Sequence, residues 1–333
     1  MSLIQVLLLC GGGSAEHEVS MVSANYLESE LQKLLTVVVT RVEITKNEGW
    51  KDSNGQTCRL NFDKSLNIGS DIIAIDYVVP CIHGFPGETG NIQSLLELLG
   101  LPFMGCDASA SIVCFNKIAS KLWFDAIGIP NTPYVFLIDN NNDSVLKAEE
   151  AFNRWGTIFV KASSQGSSIG CYKIIDKSEI KKAVENAFTF SNQVLVEKDM
   201  HPRELEIAIY YYNGEVIVTN PGEISFPVDS FYTYEEKYSI MSHSITTLEP
   251  ANLTDMQIAT MREYAKRAFM HLRLKDLSRI DFFLTDDGKI LLNEINTFPG
   301  MTPISMFPKL LEHNGHTFID YLDSCIKSGI HQY

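Results

Sequence analysis

Hydrophobic and polar positions in the first hundred residues follow two periods, one typical of buried strands and one of amphipathic helices. Apolar or β-branched runs over residues 4–9, 37–44 and 76–82 predict strands buried on both faces. Between the first two, residues 19–35 have the spacing of an amphipathic helix, and a shorter helix is predicted to end at Gly100. Strand, helix and strand in this order predict a βαβ unit on a parallel sheet.

The rest of the pattern predicts two further units. The second opens with a helix over about residues 109–127, and its predicted strands cover 133–138, 157–162, 171–175 and 193–197. A run of Asn and Asp at 140–143 predicts a loop. The third unit has strands at 206–212 and 215–219, a helix at 254–272, a hairpin and a closing helix. We therefore expect an α/β chain with α+β character towards its C-terminus, divided into domains at residues 1–106, 107–199 and 200–333.

Composition and charge narrow the class of protein. The chain has 333 residues, of which 45% are hydrophobic, so it can form a sizeable core and is not disordered, collagen-like or a coiled coil. Lys and Arg number 27 against 41 Asp and Glu, for a net charge of −14. Phosphate repels such a surface, which argues against nucleic acid or a membrane as a partner and leaves a local phosphate pocket open.

The cysteines and the lengths of the apolar runs indicate in which cellular compartment the protein is expected. The seven cysteines are odd in number and show no C-x-x-C spacing, so we expect reduced, buried thiols rather than a disulfide framework or a zinc site. No apolar run reaches the roughly 20 residues that span a bilayer. The short apolar N-terminus lacks a basic start, so it predicts a first strand rather than a signal peptide. We expect a cytoplasmic protein.

Residues 278–302 carry the densest pattern of chemistry-bearing side chains. The Asp287–Gly288 dipeptide between two apolar runs predicts a two-residue hairpin turn, which would pair Asp286 with Lys289.

Counting back from that turn places Asp281 opposite Glu294 and Arg279 opposite Asn296. Cross-strand partners and residues two apart share a face of a sheet, so these four side chains are predicted on one face. The same register puts three apolar side chains on that face nearer the turn: Phe283, Ile290 and Leu292. Two carboxylates and an amide oxygen suit Mg²⁺, which takes its other ligands from phosphate and water. The alternative is a salt-bridged sheet surface.

A second pattern is the loop at residues 160–170, where small residues and two glycines follow a strand that ends near Lys161. Such a loop lets backbone N–H groups approach phosphate oxygens while the lysine adds a point charge. The spacing is not that of a Walker A loop, and an ordinary serine–glycine turn is the alternative.

Two further candidates lie at the ends of predicted strands. Glu16 occupies the place of the third glycine in a dinucleotide fingerprint, where a carboxylate would repel pyrophosphate, so a dehydrogenase is excluded. Glu16 suits a substrate ammonium, or it caps the helix. His83 follows a predicted strand, at the edge where open α/β sheets bind ligands; the alternative is that it is an ordinary core histidine.

A further candidate is the segment at residues 232–239, whose pattern predicts a loop. Lys237 and Tyr238 in this loop could fold over the site as a lid, and the alternative is an exposed loop with solvated charges.

Taken together, these segments resemble the D-alanine–D-alanine ligase family of the ATP-grasp superfamily over nearly the whole chain. The motifs GGGSAEHEVS, HGFPGETG, KASSQGSS, YEEKY and NTFPGMT stand in the family's order. Two positions depart from the family pattern: Thr89 replaces an aspartate and Ala162 replaces a proline. Both lie beside the predicted chemistry rather than in it.

The resemblance implies an ATP site between the central and C-terminal domains. Its phosphates would be contacted by Lys117, Lys161 and, from a closing loop, Lys237, and Ser167 would also bind the nucleotide. Its adenine and ribose would be held by Glu197, Lys198, Met200 and Glu204. Two Mg²⁺ ions, with Mn²⁺ as a substitute, would be bound by Asp281, Glu294 and Asn296.

The resemblance also implies two D-alanine sites. The first D-alanine would be held through its ammonium by Glu16 and positioned by His83. The oxyanion of the reaction would be stabilised by Arg279 and the backbone N–H of Gly300. The carboxylate of the second D-alanine would be held by Ser305 and the N–H of Met306. A hydrogen-bonded trio would join Glu16, Ser167 and Tyr238.

The implied activity is ATP-dependent formation of D-alanyl-D-alanine for peptidoglycan precursors through a D-alanyl phosphate, in a homodimeric protein. A related ligase that takes D-lactate or D-serine second is the alternative, although family members that use D-lactate tend to have Phe at Tyr238. A non-catalytic nucleotide-binding protein would lack the metal ligands or Arg279, and all of these are present.

Overall fold

The computed structural model of the protein describes residues 3–47, 49–225 and 245–332. Within these ranges the strands form four sheets, three of which follow one another along the chain in the predicted order. The predicted α/β class is confirmed, since helices pack against each of the three larger sheets.

The N-terminal sheet has the order β3–β2–β1–β7, in which β1, β2 and β7 run parallel. Its strands are β1 (Ile4–Gly11), β2 (Val37–Ile44), β3 (Trp50–Asp52) and β7 (Tyr77–Pro80). A small antiparallel sheet stands beside it, with β4 (Cys58–Leu60), β5 (Ser65–Ile68) and β6 (Asp71–Ala74). Helix α1 (His17–Leu31) connects β1 to β2, as the βαβ prediction requires, and α2 (Asn91–Leu99) ends at Gly100 in a left-handed conformation.

The central sheet is antiparallel, with the order β10–β9–β11–β8. Its strands are β8 (Tyr134–Leu137), β9 (Ile158–Ala162), β10 (Cys171–Ile174) and β11 (Val194–Lys198). The helices of this region are α3 (Ala108–Phe115), α4 (Lys117–Ala126), α5 (Asn142–Trp155) and α6 (Ile180–Ala187). Helices α5 and α6 bury one face each against the sheet.

The C-terminal sheet is antiparallel around β12, which pairs with β13, β14 and β16. Its strands are β12 (Arg203–Tyr212), β13 (Glu215–Val218), β14 (Gly222–Ser225), β15 (Ile245–Thr247), β16 (Leu277–Leu284) and β17 (Ile290–Asn296). Three helices complete this part, namely α7 (Asp255–His271), α8 (Met306–His313) and α9 (Phe318–Gln332).

Two sequence predictions about helices are wrong, and asparagine is the reason in both. The helix predicted over residues 109–127 is two helices, because Asn116 is extended and its Oδ1 accepts from the N–H groups of Ile118 and Ala119 at 3.0 Å. The loop predicted at 140–143 is a helix start, because Asn141 Oδ1 accepts from Ser144 N–H at 3.0 Å. A side chain that satisfies the first N–H groups of a helix begins it.

The start and the end of the chain share one hydrophobic core. Leu8 of β1 packs in the same buried cluster as Tyr210 of β12 and Tyr321 of α9. Helix α9 approaches β7 so closely that a Cβ at Gly329 would lie 2.4 Å from the Tyr77 ring. The N-terminal sheet is therefore packed directly against the C-terminal part of the chain.

Among the helices of residues 3–47, 49–225 and 245–332, none combines the length and the apolar character that a membrane span requires. The limits of the three domains stay a prediction.

Asp276 joins the segment after the N-terminal sheet to the C-terminal sheet. Its Oδ2 accepts from Gly105 N–H at 2.7 Å, and its carbonyl accepts from Tyr211 N–H at 2.9 Å. The residue has φ +54, a left-handed conformation that Asp and Asn tolerate better than most residues. Burial raises the pKa of Asp276 to about 6. The folded protein therefore favours the protonated form of Asp276 more than the unfolded chain does.

We expect Asp276→Asn to flatten the dependence of stability on pH. Because the pKa of Asp276 is raised in the folded state, its contribution to stability is present below about pH 4 and is lost as the pH rises to about 6. Asn keeps the acceptor for Gly105 and the left-handed conformation but does not titrate. Urea unfolding from pH 4 to 7 measures the free energy of unfolding of both proteins. Equal slopes across this window would contradict the assignment.

Candidate active site

A cavity of about 1460 Å³ lies where the three larger sheets meet. It is lined from the N-terminal side by Glu16 and His83, from the central sheet by Lys161, and from the C-terminal sheet by Arg279 and Asp281. All predicted site residues within the described ranges line this one cavity: Glu16, His83, Lys117, Lys161, Ser167, Glu197, Lys198, Met200, Glu204, Arg279, Asp281, Glu294, Asn296, Gly300, Ser305 and Met306. Lys237 and Tyr238 lie outside the described residues.

The hairpin β16–β17 has the predicted register at its open end. Asp281 pairs with Glu294, and Arg279 pairs with Asn296. These four polar side chains therefore share a face, and all four line the cavity.

Near the turn the predicted register is wrong by one residue. Thr285 bonds Lys289 across a loop of three residues, so Asp286 does not pair with Lys289, and Leu284 pairs with Ile290. A bulge at Asn293 absorbs the difference, because Phe282 pairs with Leu292 while Asp281 pairs with Glu294.

The bulge also changes which apolar side chains share the polar face. Phe283 lies on that face, as predicted, and lines the cavity. Its cross-strand partner is Leu291, whereas Ile290 and Leu292 point to the opposite face and pack in the core with Phe282. The predicted placement of Ile290 and Leu292 is therefore wrong.

Arg279 is held by carboxylates on two strands. Its Nε and Nη2 donate to the two oxygens of Asp281 at 2.8 Å each, and its Nε lies 3.1 Å from Glu206 Oε2 on β12. Burial alone would lower the pKa of Arg279, but the carboxylates of Asp281 and Glu206 raise it well above its usual value. The guanidinium is therefore charged and fixed in orientation.

The predicted metal ligands form a donor set suited to a hard cation. Asn296 Nδ2 donates to Asp281 Oδ2 at 3.0 Å, which leaves the amide oxygen of Asn296 as an acceptor. Glu294 lies in the same patch, with Lys117 Nζ 3.9 Å from its Oε2. Within residues 3–47, 49–225 and 245–332, no three His, Cys, Asp or Glu side chains form a metal cluster by themselves. Two carboxylates and one amide fit Mg²⁺, which completes its shell with phosphate oxygens and water.

The glycine loop brings the central sheet to the N-terminal strand. Ser167 has φ +52, and its Oγ donates to Glu16 Oε1. A Cβ at Gly166 would lie 2.7 Å from Glu16 Oε2, so any larger residue there would displace the carboxylate from this position. The alternative that Glu16 caps helix α1 is wrong, because its side chain makes no capping bond there. The carboxylate of Glu16 is buried, with 6% of the residue exposed.

Lys161 and Glu197 form an ion pair in the wall of the cavity. Lys161 Nζ lies 2.6 Å from Glu197 Oε2, and Lys121 Nζ lies 2.6 Å from Glu197 Oε1. Burial would raise the pKa of Glu197, but the two ammonium groups lower it to about 2. The same carboxylate outweighs the effect of burial on Lys161 and raises its pKa.

His83 is coupled to the loop that follows β17. Its Nε2 lies 3.0 Å from Ser23 Oγ, which accepts from Met301 N–H at 3.3 Å. Burial lowers the pKa of His83, although Glu16 acts in the opposite direction. The imidazole is therefore neutral at pH 7, and its bond with Ser23, which also accepts from Met301 N–H, holds it in place.

The loop after β17 ends in a polar turn at the start of α8. Ser305 occupies the residue before α8, and its Oγ lies 2.7 Å from Thr302 Oγ1. A Cβ at Gly300 would lie 3.0 Å from Ser305 Oγ, so glycine keeps the backbone close to this hydroxyl. The N–H of Met306 is at the first turn of α8, where a helix attracts an anion.

Three residues that line the cavity or lie directly behind its wall were not among the predicted ones. Glu88 stands in the same motif as His83, and its Oε2 accepts from Gly84 N–H at 2.8 Å. Glu206 interrupts the apolar run of β12, which was a signal available in the sequence. Lys121 follows Lys117 by four residues on the same helix. This spacing places both lysines on one face, so it was a signal for Lys121 in the sequence.

Family models match most of the chain. The model described as "D-ala D-ala ligase N-terminus" matches residues 5–106, and "D-ala D-ala ligase C-terminus" matches residues 123–327. The D-alanine--D-alanine ligase of Tolumonas auensis is 58% identical over 330 residues, which cover 99% of this chain and 100% of that protein. The D-alanine--D-alanine ligase of Aeromonas hydrophila is 56% identical over the same coverage.

Solved structures of two related proteins have the same fold. D-alanyl-alanine synthetase A from Vibrio cholerae is 54% identical, with a TM-score of 0.95 and coverage of 99% of both chains. The VanG D-Ala:D-Ser ligase from Enterococcus faecalis is 29% identical, with a TM-score of 0.86 and coverage of 98% of this chain and 99% of that one.

We expect Glu88 to release its proton near pH 8 in the ligand-free protein. Burial and, next, the Glu16 carboxylate raise the pKa of Glu88 to about 8. Carbon NMR of the protein labelled at glutamate carboxyls should show one resonance that titrates there, and Glu88→Gln should remove it. If every glutamate resonance titrates below about pH 6, the assignment is wrong.

Proposed function

The chain belongs to the D-alanine–D-alanine ligase family, and on that premise we propose that it joins two D-alanine molecules into D-alanyl-D-alanine at the expense of ATP. The observation that carries the proposal is the convergence of three elements on one cavity: the Glu16 carboxylate, the lysine-bearing glycine loop and the paired charges of β16 and β17. These are the groups that binding an amino acid, binding phosphate and stabilising an oxyanion require.

The first D-alanine binds with its ammonium at Glu16. This carboxylate is buried and is held by Ser167 Oγ, so it offers a fixed negative charge. His83, neutral and fixed by Ser23, positions the same substrate. The substrate carboxylate then faces the charges on β16 and β17.

The γ-phosphate of ATP is transferred to that carboxylate. A carboxylate oxygen attacks phosphorus, the bond to ADP breaks, and an acyl phosphate forms. Lys117 and Lys161 bind the phosphates and stabilise the charge spread over their oxygens. Mg²⁺ bound by Asp281, Glu294 and Asn296 would neutralise further phosphate charge.

The amine of the second D-alanine then attacks the acyl carbon. A tetrahedral oxyanion forms, phosphate leaves, and the amine nitrogen loses a proton. Arg279 and the N–H of Gly300 stabilise the oxyanion. Ser305 and the N–H of Met306 hold the second carboxylate at the start of α8.

Several finer features belong to the same proposal. We propose two Mg²⁺ ions, replaceable by Mn²⁺, an adenosine site formed by Glu197, Lys198, Met200 and Glu204, and a lid that carries Lys237 and Tyr238. The domains divide at residues 1–106, 107–199 and 200–333. The enzyme is a cytoplasmic homodimer that supplies peptidoglycan precursors. The relation to the three-domain ATP-grasp plan supports these points.

The activity is tested by incubating the protein with ATP, Mg²⁺ and D-alanine. We expect release of one phosphate per dipeptide, with the dipeptide identified by mass spectrometry. Absence of both products from folded protein would refute the proposal.

A substrate panel separates the proposed acceptor from its alternatives. D-lactate and D-serine are each offered against D-alanine in competition, and we expect D-alanyl-D-alanine as the main product. This expectation agrees with Tyr238 and with the 58% identity to the D-alanine--D-alanine ligase of Tolumonas auensis, against 29% to the D-Ala:D-Ser ligase. A main product with D-lactate or D-serine would change the assigned acceptor.

We expect Arg279→Ala to lower turnover by roughly a hundredfold or more, as for loss of one oxyanion donor. Arg267→Ala is the matched control, because it removes an arginine that pairs with Glu263 on α7 and does not line the cavity. The turnover of the control should stay within about twofold of the parent enzyme, since a partly exposed ion pair contributes little and the other bonds of Arg267, to the carbonyls of Ile127 and Gly128, also lie outside the cavity. Near-normal turnover of Arg279→Ala would exclude the oxyanion role.

A further inference from the structure

Lys121 is a fully buried lysine for which the proposed reaction has no role. It lies on α4 with 2% of its side chain exposed, and it does not line the cavity. Its ammonium meets three acceptors, which are Glu197 Oε1 at 2.6 Å, Asn131 Oδ1 at 3.3 Å and Thr132 O at 3.4 Å. Burying an ammonium is costly, so such a residue is retained only where its charge is compensated.

Glu197 connects this hidden lysine to the cavity. One carboxylate oxygen meets Lys121 and the other meets Lys161, each at 2.6 Å. Glu197 and Lys161 both line the cavity, with 3% of the Glu197 side chain and 17% of the Lys161 side chain exposed. Lys121, Glu197 and Lys161 are therefore connected by two ion pairs that lead from the interior to the cavity wall.

The charges of these three side chains do not cancel. Two ammonium groups share the one carboxylate of Glu197, which cannot neutralise both, and the next carboxylates that act on them are Asp125 for Lys121 and Glu294, in the cavity, for Lys161. Without Lys121, Glu197 and Lys161 would form a neutral pair. The free carboxylate oxygen would also draw Lys161 Nζ towards the interior, since a buried carboxylate needs donors for both oxygens.

We propose that Lys121 is a positioning residue for nucleotide binding, which shares the Glu197 carboxylate with Lys161 and so keeps Lys161 extended into the cavity with a charge that Glu197 does not fully neutralise. This inference rests on the proposed function, because it assigns Lys161 to the phosphates of ATP. Lys121 itself lies behind the cavity wall and does not line the space in which the substrates would bind. The burial that lowers the pKa of Lys121 is opposed by Glu197, which is consistent with the pair forming inside the protein.

The test is Lys121→Met, with ATP affinity measured by calorimetry and KM measured for each substrate. We expect the KM and the Kd for ATP to rise by about tenfold, the size of a coupling between charges in one network. The KM for D-alanine should not change, because Glu16 and Ser305 lie outside this network. Lys121→Gln keeps a hydrogen-bond donor but removes the charge, so it should give the same change even if Lys121→Met fails to fold.

A double-mutant cycle shows whether the effect travels through Glu197. Glu197→Gln removes the carboxylate that both lysines share. In that background, Lys121→Met should change ATP affinity by no more than about twofold. An equal effect in both backgrounds would overturn the inference.

A stability control separates positioning from damage to the fold. Phe124→Leu alters a fully buried apolar residue on the same helix, which packs in the hydrophobic core of the C-terminal part and carries no charge of the network. It should lower the melting temperature and leave the KM for ATP unchanged. If both Lys121 variants lower stability with unchanged ATP affinity, Lys121 is only structural. If the parent enzyme does not bind ATP at all, the proposed function fails instead.

Discussion

A charge inside a protein is stable only where an opposite charge or a hydrogen-bonding group meets it, and the cavity of this protein is built around that constraint. Arg279 donates two hydrogen bonds of 2.8 Å to Asp281, and Lys161 forms an ion pair with Glu197 at 2.6 Å. Each carboxylate fixes the orientation of its cation, and the cation keeps N–H groups that can still bind a ligand. The site therefore presents oriented positive charge before a ligand arrives, in a protein whose net charge is −14. Orientation in advance is what makes electrostatic stabilisation effective in catalysis.

These pairs depend on how the sheets are joined. The N-terminal sheet and helix α9 share one core, so the loop after β1 is brought against the part of the chain that follows β17. Ser23 links the two by meeting both His83 and the N–H of Met301. The glycine loop of the central sheet is joined to the N-terminal part of the cavity by the hydrogen bond from Ser167 Oγ to Glu16. Residues separated by more than a hundred positions thus meet around a single cavity, and its substrates would contact all three parts of the chain.

Local patterns in the sequence were sufficient for most elements. The βαβ unit, the strands of the central sheet and the pairing of Asp281 with Glu294 all agree with the structure. The errors arose where one side chain competes with a longer pattern. Asn116 divides a continuous apolar period because its side chain caps a new helix. In the hairpin, a three-residue loop and a bulge at Asn293 offset one another, so the register was right at the polar end and wrong beside the turn.

The sequence by itself determined which residue types are present, the order of the elements and the family motifs that link Glu16, Lys161 and Arg279 to one chemistry. It could do so because turns, periodicity and short motifs are local properties of the chain. Only the tertiary structure decided which carboxylate holds which cation. The pairing of Lys121 with Lys161 through Glu197, and of Arg279 with Glu206, joins different elements whose approach is set by packing. Burial then decides the strength of these pairs, because the charges are removed from water only when the sheets and helices come together.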